Sequence, residues 1–282
     1  MSPGIARDRA ELARALAELR AGGGRVALVP TMGALHAGHL ALVARAGELA
    51  ERVVVSIFVN PTQFAPGEDF ERYPRTPEAD LRALGGTACH LVFMPASEAI
   101  YPFGTAAAVR VHVPGLSGIL CGASRPGHFD GVASVVLRLF HLVRPEIAVF
   151  GEKDYQQLLL VRRLVADLGL GIEIVGAPTV READGLAMSS RNAYLAPDER
   201  RRAAAIPEVL RWMAEAWLAG GERGAIEAEG RARLEAAGLA PEYAVLRRAG
   251  DLGEPAPGER PARALIAARV GRTRLIDNWP IP

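Results

Sequence analysis

An α/β fold built on a doubly wound parallel (Rossmann-like) sheet, with a smaller C-terminal α+β domain, is what the sequence predicts, and three observations predict it. Short apolar runs alternate with helix-length amphipathic stretches through the first two-thirds of the 282 residues. The runs are continuous in β-branched and aliphatic residues, as parallel strands covered on both faces must be. Near residue 178 the rhythm changes to helices followed by three strand-like runs, which predicts domains at 1–178 and 179–282, the second acting as a lid.

Taken in order, the amino-terminal MSPGIARDRAELARALAELR has the spacing of a charged amphipathic helix. RVALVP (25–30) reads as a buried strand, HLALVARAGELA (39–50) as a helix with Leu40, Val43 and Gly47 on one face, and RVVVSIFVN (52–60) as the clearest strand. Further strands fall at 88–95, 147–151 and 172–176, with helices at PEADLRALG, GVASVVLRLFHLV and YQQLLLVRRLVADLG between them, the last stopped by Gly169. Right-handed βαβ crossovers then make the sheet doubly wound. In the second domain a helix starts after Pro197, another covers roughly 222–237, and EYAVLRR, RALIAARV and TRLIDN are the strand-like runs. GDLGEPAPGERPA between the first two is a surface loop.

Composition excludes several classes of function. A net charge of +1, with neither sign gathered in a block, offers no basic face for nucleic acid and no polybasic membrane anchor. No apolar run approaches the roughly eighteen residues of a membrane span. The amino terminus lacks the apolar core of a signal peptide, so the chain is expected in the cytoplasm. Cys89 and Cys121 lie outside any CxxC or Cys/His ligand spacing and read as reduced thiols, with no protein metal site expected.

Of the 33 basic residues, one, Lys153, is lysine. Arg is a planar fork and Lys a compact point charge, so a chain that otherwise uses Arg points to a site where one ammonium must meet one oxygen. In an open parallel sheet, ligands bind at the carboxyl ends of the strands, beside the reversal of strand order. Four segments fall at such positions or open the second domain. PTMGALHAGH (30–39) follows the first strand and puts His36 and His39 three residues apart at the start of a helix, where backbone N–H groups and the helix dipole favour an anion. Gly33 and Gly38 let a ligand approach the backbone. NPTQF (60–64) offers the uncharged amides Asn60 and Gln63 to a hydroxylated carboxylate, and the acidic loop after it suits a mobile lid. GEKDYQQ (151–157) places Lys153 for bridging phosphate oxygens and Asp154 for ribose hydroxyls. AMSSRN (187–192) supplies Ser189, Ser190 and Arg191, either as phosphate donors or as a helix cap. Neither a GxxxxGK[ST] loop nor a GxGxxG turn occurs, which sets aside a Walker ATPase and a simple dinucleotide dehydrogenase.

Together PTMGALHAGH, SIFVNPTQF, YPRT, GASRPGHFDGV, FGEKDYQQ and TVREADGLAMSSRN, in this order, resemble the pantothenate synthetase (pantoate:β-alanine ligase) family. That family belongs to the nucleotidyltransferase superfamily marked by a His-x-Gly-His turn. Two positions depart from its usual pattern: Cys121 stands where a Glu is expected, and Asp130 where the residue is often basic. The resemblance implies a cytoplasmic homodimer that joins pantoate to β-alanine. Pantoate would attack the α-phosphate of Mg2+-bound ATP to give pantoyl adenylate and pyrophosphate, and the β-alanine amine would then displace AMP. It further implies that Met32, Gly33, Ala34, Leu35, His36, Ala37, Gly38 and His39 line the ATP site, with His39 the proton donor, His36 its companion and Lys153 the third catalytic group. Gly151, Glu152, Lys153 and Asp154 would also bind ATP, Val180 would contact adenine, and Met188, Ser189, Ser190 and Arg191 would close on the phosphates. Gln63 and Gln157 would hold pantoate, Gln63 also bordering the β-alanine site, while Asn60 and His128 receive no clear role. The His-x-Gly-His turn by itself also fits a nucleotidyltransferase that stops at a nucleotidylated product, a fragment of a class I aminoacyl-tRNA synthetase, or a non-catalytic nucleotide sensor.

Overall fold

A computed structural model describes residues 2–65 and 67–282, so Pro66, within the acidic loop read from the sequence, lies outside the described residues. Two compact units make up the chain. One comprises the residues up to Glu152 together with Leu160–Pro178; the other comprises Lys153–Leu159 and Thr179–Pro282.

The first unit contains β1 (Gly4–Ala6), α1 (Arg9–Ala21), β2 (Val26–Thr31), α2 (Ala37–Leu49), β3 (Arg52–Ile57), α3 (Pro77–Leu84) and β4 (Leu91–Phe93). It continues through the short α4 (Ser97–Ile100) and α5 (Cys121–Ser124), then α6 (His128–Val143), β5 (Ile147–Gly151), most of α7 (Tyr155–Asp167) and β6 (Glu173–Ala177). The six strands are all parallel, in the order β1-β4-β3-β2-β5-β6. After β2 the chain builds outward on one side and then crosses back to place β5 on the other, so strand order reverses at β2 and β5. One set of alternating strand residues, Ala27, Val29, Val53, Val55, Ile147 and Val149, packs with Val43 and Ala46 of α2. The opposite set, Leu28, Val54, Leu91, Phe93 and Ala148, is equally inaccessible, so both faces are covered.

The structure corrects two sequence readings here. The amino-terminal stretch is not one helix, because Gly4–Ala6 pairs with β4 and the helix starts only at Arg9, capped by Asp8. The strand expected over 88–95 is confined to Leu91–Phe93. Elsewhere Gly169, at φ +59°, closes the end of α7, the role its place in the sequence predicts.

The second unit holds α8 (Pro197–Ala203), α9 (Ala205–Leu218), α10 (Arg223–Ala236), β7 (Ala240–Arg248), β8 (Ala262–Val270) and β9 (Thr273–Ile281). Its three strands form an antiparallel sheet with β8 at the centre. Ala264, Ile266 and Ala268 face Ile206, Leu210, Met213 and Trp217 of α9. Arg263, Leu265 and Ala267 of β8 lie on the opposite face and are also buried. The chain segment Lys153–Leu159 belongs to this unit, and Tyr155 lies on that opposite face with its ring 3.6 Å beneath the Arg263 guanidinium carbon.

Candidate active site

At the carboxyl end of β2 the chain must leave the sheet and enter α2 within five residues. Gly33 at φ +81° and Ala34 at φ +50° make that turn in the left-handed region. Asp80 of α3 holds it. Its buried carboxylate accepts the N–H groups of Ala34 (3.1 Å) and Leu35 (2.8 Å) and the Thr76 hydroxyl (3.1 Å). A Cβ on Gly33 would stand 2.9 Å from Asp80 Oδ2 and 3.0 Å from Ile57 Cγ2. The glycine is therefore required by the packing beneath the turn, a reason distinct from access for a ligand.

His36 follows as the N-cap of α2, and its Nδ1 accepts the Gly38 N–H at 3.2 Å. His39 reciprocates, its Nδ1 accepting the His36 N–H at 3.3 Å. An imidazole nitrogen that accepts from a backbone N–H carries no proton, so in each neutral ring the proton sits on Nε2. Backbone N–H groups that the sequence alone offers to an anion are thus taken by the two rings, and their Nε2–H groups become the donors at this helix start.

Gln63 ends a short 3-10 turn, Pro61–Gln63, and is almost fully buried. Its orientation is set by Asn60. The Asn60 oxygen accepts the Thr62 N–H (3.3 Å), the Thr62 hydroxyl (2.9 Å) and the Tyr101 hydroxyl (2.7 Å), so its nitrogen must point the other way, donating to Gln63 Oε1 (3.1 Å) and the Gly131 carbonyl (3.2 Å). Gln63 then turns Nε2 towards Met32 Sδ, 2.9 Å away. Burial pushes the Tyr101 hydroxyl pKa up, so that hydroxyl stays a donor. Gly131 permits the approach of α6, since a Cβ there would collide with the Thr62 carbonyl.

A second layer supports the Gln63 backbone. Arg125 grips Glu68 through Nε (2.6 Å) and Nη2 (2.7 Å), and its Nη2 also donates to the Gln63 carbonyl at 3.2 Å. Burial opposes ionisation of Glu68, but the Arg125 fork outweighs it and holds the carboxyl below its ordinary range. Arg125 Nη1 donates to His128 Nε2 (3.0 Å), which leaves the His128 proton on Nδ1, facing the Gln63 carbonyl at 2.8 Å. His128, left without a role by sequence reasoning, thus braces Gln63.

In the second unit Lys153 lies in a 3-10 turn, Glu152–Asp154, its side chain about one-fifth exposed and its Nζ 3.8 Å from Asp154 Oδ2. Asn278 of β9 donates to the Lys153 carbonyl at 2.9 Å. Gln157 is half-buried in the first turn of α7. Val180 and Met188 come together across a tight hairpin, the Met188 N–H bonding the Val180 carbonyl at 3.0 Å. Ser189 is a cap: its hydroxyl accepts the Arg191 N–H (3.3 Å) at the start of a turn covering Ser190–Tyr194. Glu182 secures this loop by accepting from Asn192 (2.6 Å) and from Arg200, which also bonds Asp184. Hydrogen bonds from Arg200 hold both carboxyls below their usual range. Arg181 pairs with the buried Asp277 at 2.6 and 3.1 Å; burial dominates there and raises the Asp277 pKa.

Within the first unit the expected residues Met32 to His39 and Gln63 therefore meet, and Gly151 closes β5 on the strand next to β2. In the second, Val180 joins Met188 to Arg191, and Lys153 joins Asp154. Among the described residues no group of three or more His, Cys, Asp or Glu side chains could hold a metal ion, and no helix is long and apolar enough to cross a membrane. Sequence reasoning missed Asp80, Arg125, Arg263 and Asn278, each of which works through a partner far along the chain.

The family model for pantoate-beta-alanine ligase matches residues 4–280. Pantothenate synthetase from Thioalkalivibrio sulfidiphilus is 57% identical over 275 residues, covering 97% of this chain and 96% of that protein. A crystal structure of pantothenate synthetase from Thermus thermophilus superposes with a TM-score of 0.92 at 46% identity, covering 99% of each chain. The Francisella tularensis pantoate-beta-alanine ligase, solved with beta-gamma ATP and beta-alanine, superposes with a TM-score of 0.84 at 33% identity, over 99% of this chain and 97% of that one.

Proposed function

The chain belongs to the pantoate-beta-alanine ligase family, and from that premise we propose that it makes pantothenate from pantoate, β-alanine and ATP in two steps. A carboxylate is a poor acylating group at neutral pH, so it must first gain a leaving group. One pantoate carboxylate oxygen attacks the α-phosphorus of ATP, the bond to the bridging oxygen breaks, and pyrophosphate departs. The β-alanine amine then attacks the acyl carbon of pantoyl adenylate, the C–N bond forms, the amine proton is lost, and AMP leaves.

The observation that carries this reading is the reciprocal capping of His36 and His39 at the end of β2. Two neutral rings with the proton on Nε2 are pre-set donors for oxygens whose negative charge grows as pyrophosphate departs. His39 is the proton donor and His36 its companion on the phosphates. Gln63, with its oxygen engaged by Asn60 and one Nε2 hydrogen on Met32 Sδ, offers its second Nε2 hydrogen to the pantoate hydroxyl or carboxylate, and Gln157 is the second pantoate ligand. Lys153 supplies the compact positive charge, Asp154 meets the ribose, Val180 the adenine, and Met188 to Arg191 the phosphates. Gly151 and Glu152, like Met32 to Ala37, complete the ATP contacts. Ala34 and Leu35 spend their N–H groups on Asp80, so their contribution is limited to surface contact.

Magnesium is part of the proposal as the counter-ion of the triphosphate. The described residues offer it no carboxylate and histidine cage, so phosphate oxygens and water would be its ligands. A homodimer in the cytoplasm is part of the same reading, resting on the family resemblance. The test is to measure pyrophosphate released from ATP with pantoate alone, then AMP and pantothenate after adding β-alanine. Pyrophosphate in the first mixture and an amine-dependent second product are expected. Pyrophosphate release that needs β-alanine from the start would sink the adenylate order.

A further inference from the structure

We propose that Asn278 is a positioning residue for Lys153, fixing the backbone from which the lysine ammonium extends; this rests on the reading of Lys153 given above. The grip is built on one face of a sheet. β8 and β9 pair with Leu265 opposite Asn278 and Arg263 opposite Pro280, so Asn278 and Arg263 are diagonal neighbours on the face turned away from α9. That face receives Lys153–Leu159. Arg263 Nη1 donates to Asn278 Oδ1, which dictates that the amide nitrogen points outward, and it does so onto the Lys153 carbonyl at 2.9 Å. Two residues on, the Arg263 guanidinium stacks on the Tyr155 ring, whose hydroxyl donates to the Ala249 carbonyl at 2.9 Å. One arginine thus orients the amide that holds residue 153 and clamps the ring at residue 155.

Both Asn278 and Arg263 are nearly inaccessible, at 2% and 7% exposure. A buried amide costs stability unless its hydrogen bonds are made; here its oxygen accepts from Arg263 and its nitrogen donates to the carbonyl of the solitary lysine. The lysine stem is long and flexible, so the place of its ammonium depends on where the stem begins. Asn278 is not itself a catalytic residue; it acts through that origin.

Asn278→Asp separates the role from general stability. A carboxylate still accepts from Arg263, and more strongly, but cannot donate to the Lys153 carbonyl and sets an oxygen against it. The parent chain, Asn278→Asp, Lys153→Ala and the double variant are compared by single-turnover adenylate formation and by ATP affinity from calorimetry, with thermal melting as the control. Asn278→Asp is expected to lower the melting temperature, since it sets a buried carboxylate oxygen against a carbonyl, and to slow adenylate formation about tenfold; in the Lys153→Ala background the same substitution should lower the melting temperature equally but have no further effect on rate or on ATP affinity. A parental rate for Asn278→Asp, or an equal loss of rate with and without Lys153, would overturn the positioning role. A parental rate for Lys153→Ala would remove the reading of Lys153 itself and the positioning role with it. Should Asn278→Asp fail to fold, Asn278→Ser, too short to reach the carbonyl, is scored by the same four-way comparison.

Discussion

His36 and His39 cap one helix end together, their ring centroids 4.1 Å apart with 38° between the planes, and each spends its Nδ1 on a backbone N–H. Each ring thus has two ends, Nδ1 committed to the fold and Nε2 the one proposed for the chemistry. The two can be separated by substitution. Asn places an oxygen near the position of Nδ1 and nothing at Nε2, so His39→Asn should keep the cap and lose the donor. His39→Ala should lose both, with about 1 kcal/mol of stability gone and adenylate formation slowed on the order of a hundredfold. Urea titration and single-turnover kinetics on the pair check this; full activity in His39→Asn would remove Nε2 from the reaction.

Lys153 carries the positive charge of the proposal. Replacing it by Ala should slow adenylate formation by at least about a hundredfold, equivalent to roughly 2.7 kcal/mol of transition-state stabilisation. Lys153→Arg should also be impaired, because a planar fork does not substitute for a point charge. Quenched-flow measurement of pyrophosphate burst amplitude and rate gives both numbers, and an active Arg variant would reduce the singularity of this lysine to a matter of composition.

Asp80 accepts two consecutive N–H groups from a turn in the left-handed region. Asp80→Asn would put an amide N–H against one of those donors, leaving the two facing N–H groups unsatisfied in a buried place. A loss of about 1–3 kcal/mol is expected, read as a lower urea midpoint with an unchanged slope. A variant as stable as the parent would show that the turn holds itself.

Glu68 gives a prediction in pH. Its carboxyl is held below the ordinary value of 4.5 in the folded chain, so the Arg125 pair adds stability above that pH, and the addition is lost as pH falls through the lowered folded value. In Glu68→Gln the decline of stability on acidification should accordingly be shallower than in the parent, as measured by urea midpoints at stepped pH. Parallel declines would mean that the pair stays solvated and contributes nothing.

Much of the parallel sheet can be read directly from the residues, because β2, β3 and β5 are buried on both faces and so show as unbroken apolar runs. β1 cannot be read that way. Its three residues include an exposed Gly4 and Ile5, and the charged helix that follows extends its pattern over them. The histidines, Gln63 and Lys153 stand out because their segments have unusual residue types at strand ends. Asp80 has no such signal: an acid in the first turn of a helix is what the dipole favours anyway, and only its contact with residues 34 and 35 distinguishes it. Asn278 and Arg263 give a fainter cue, polar residues inside runs that otherwise pattern as strands. What they hold lies more than a hundred positions away, a relation that no local pattern encodes.

That Lys153–Leu159 pack with the C-terminal sheet has a bearing on recombining this protein with its relatives. A hybrid joined once, after residue 178, would take the Tyr155 ring from one parent and the Arg263 that covers it from the other, and likewise split residue 153 from Asn278. Exchanging the second unit whole therefore takes two pieces, Lys153–Leu159 and Thr179–Pro282, so the block to be swapped is discontinuous along the gene.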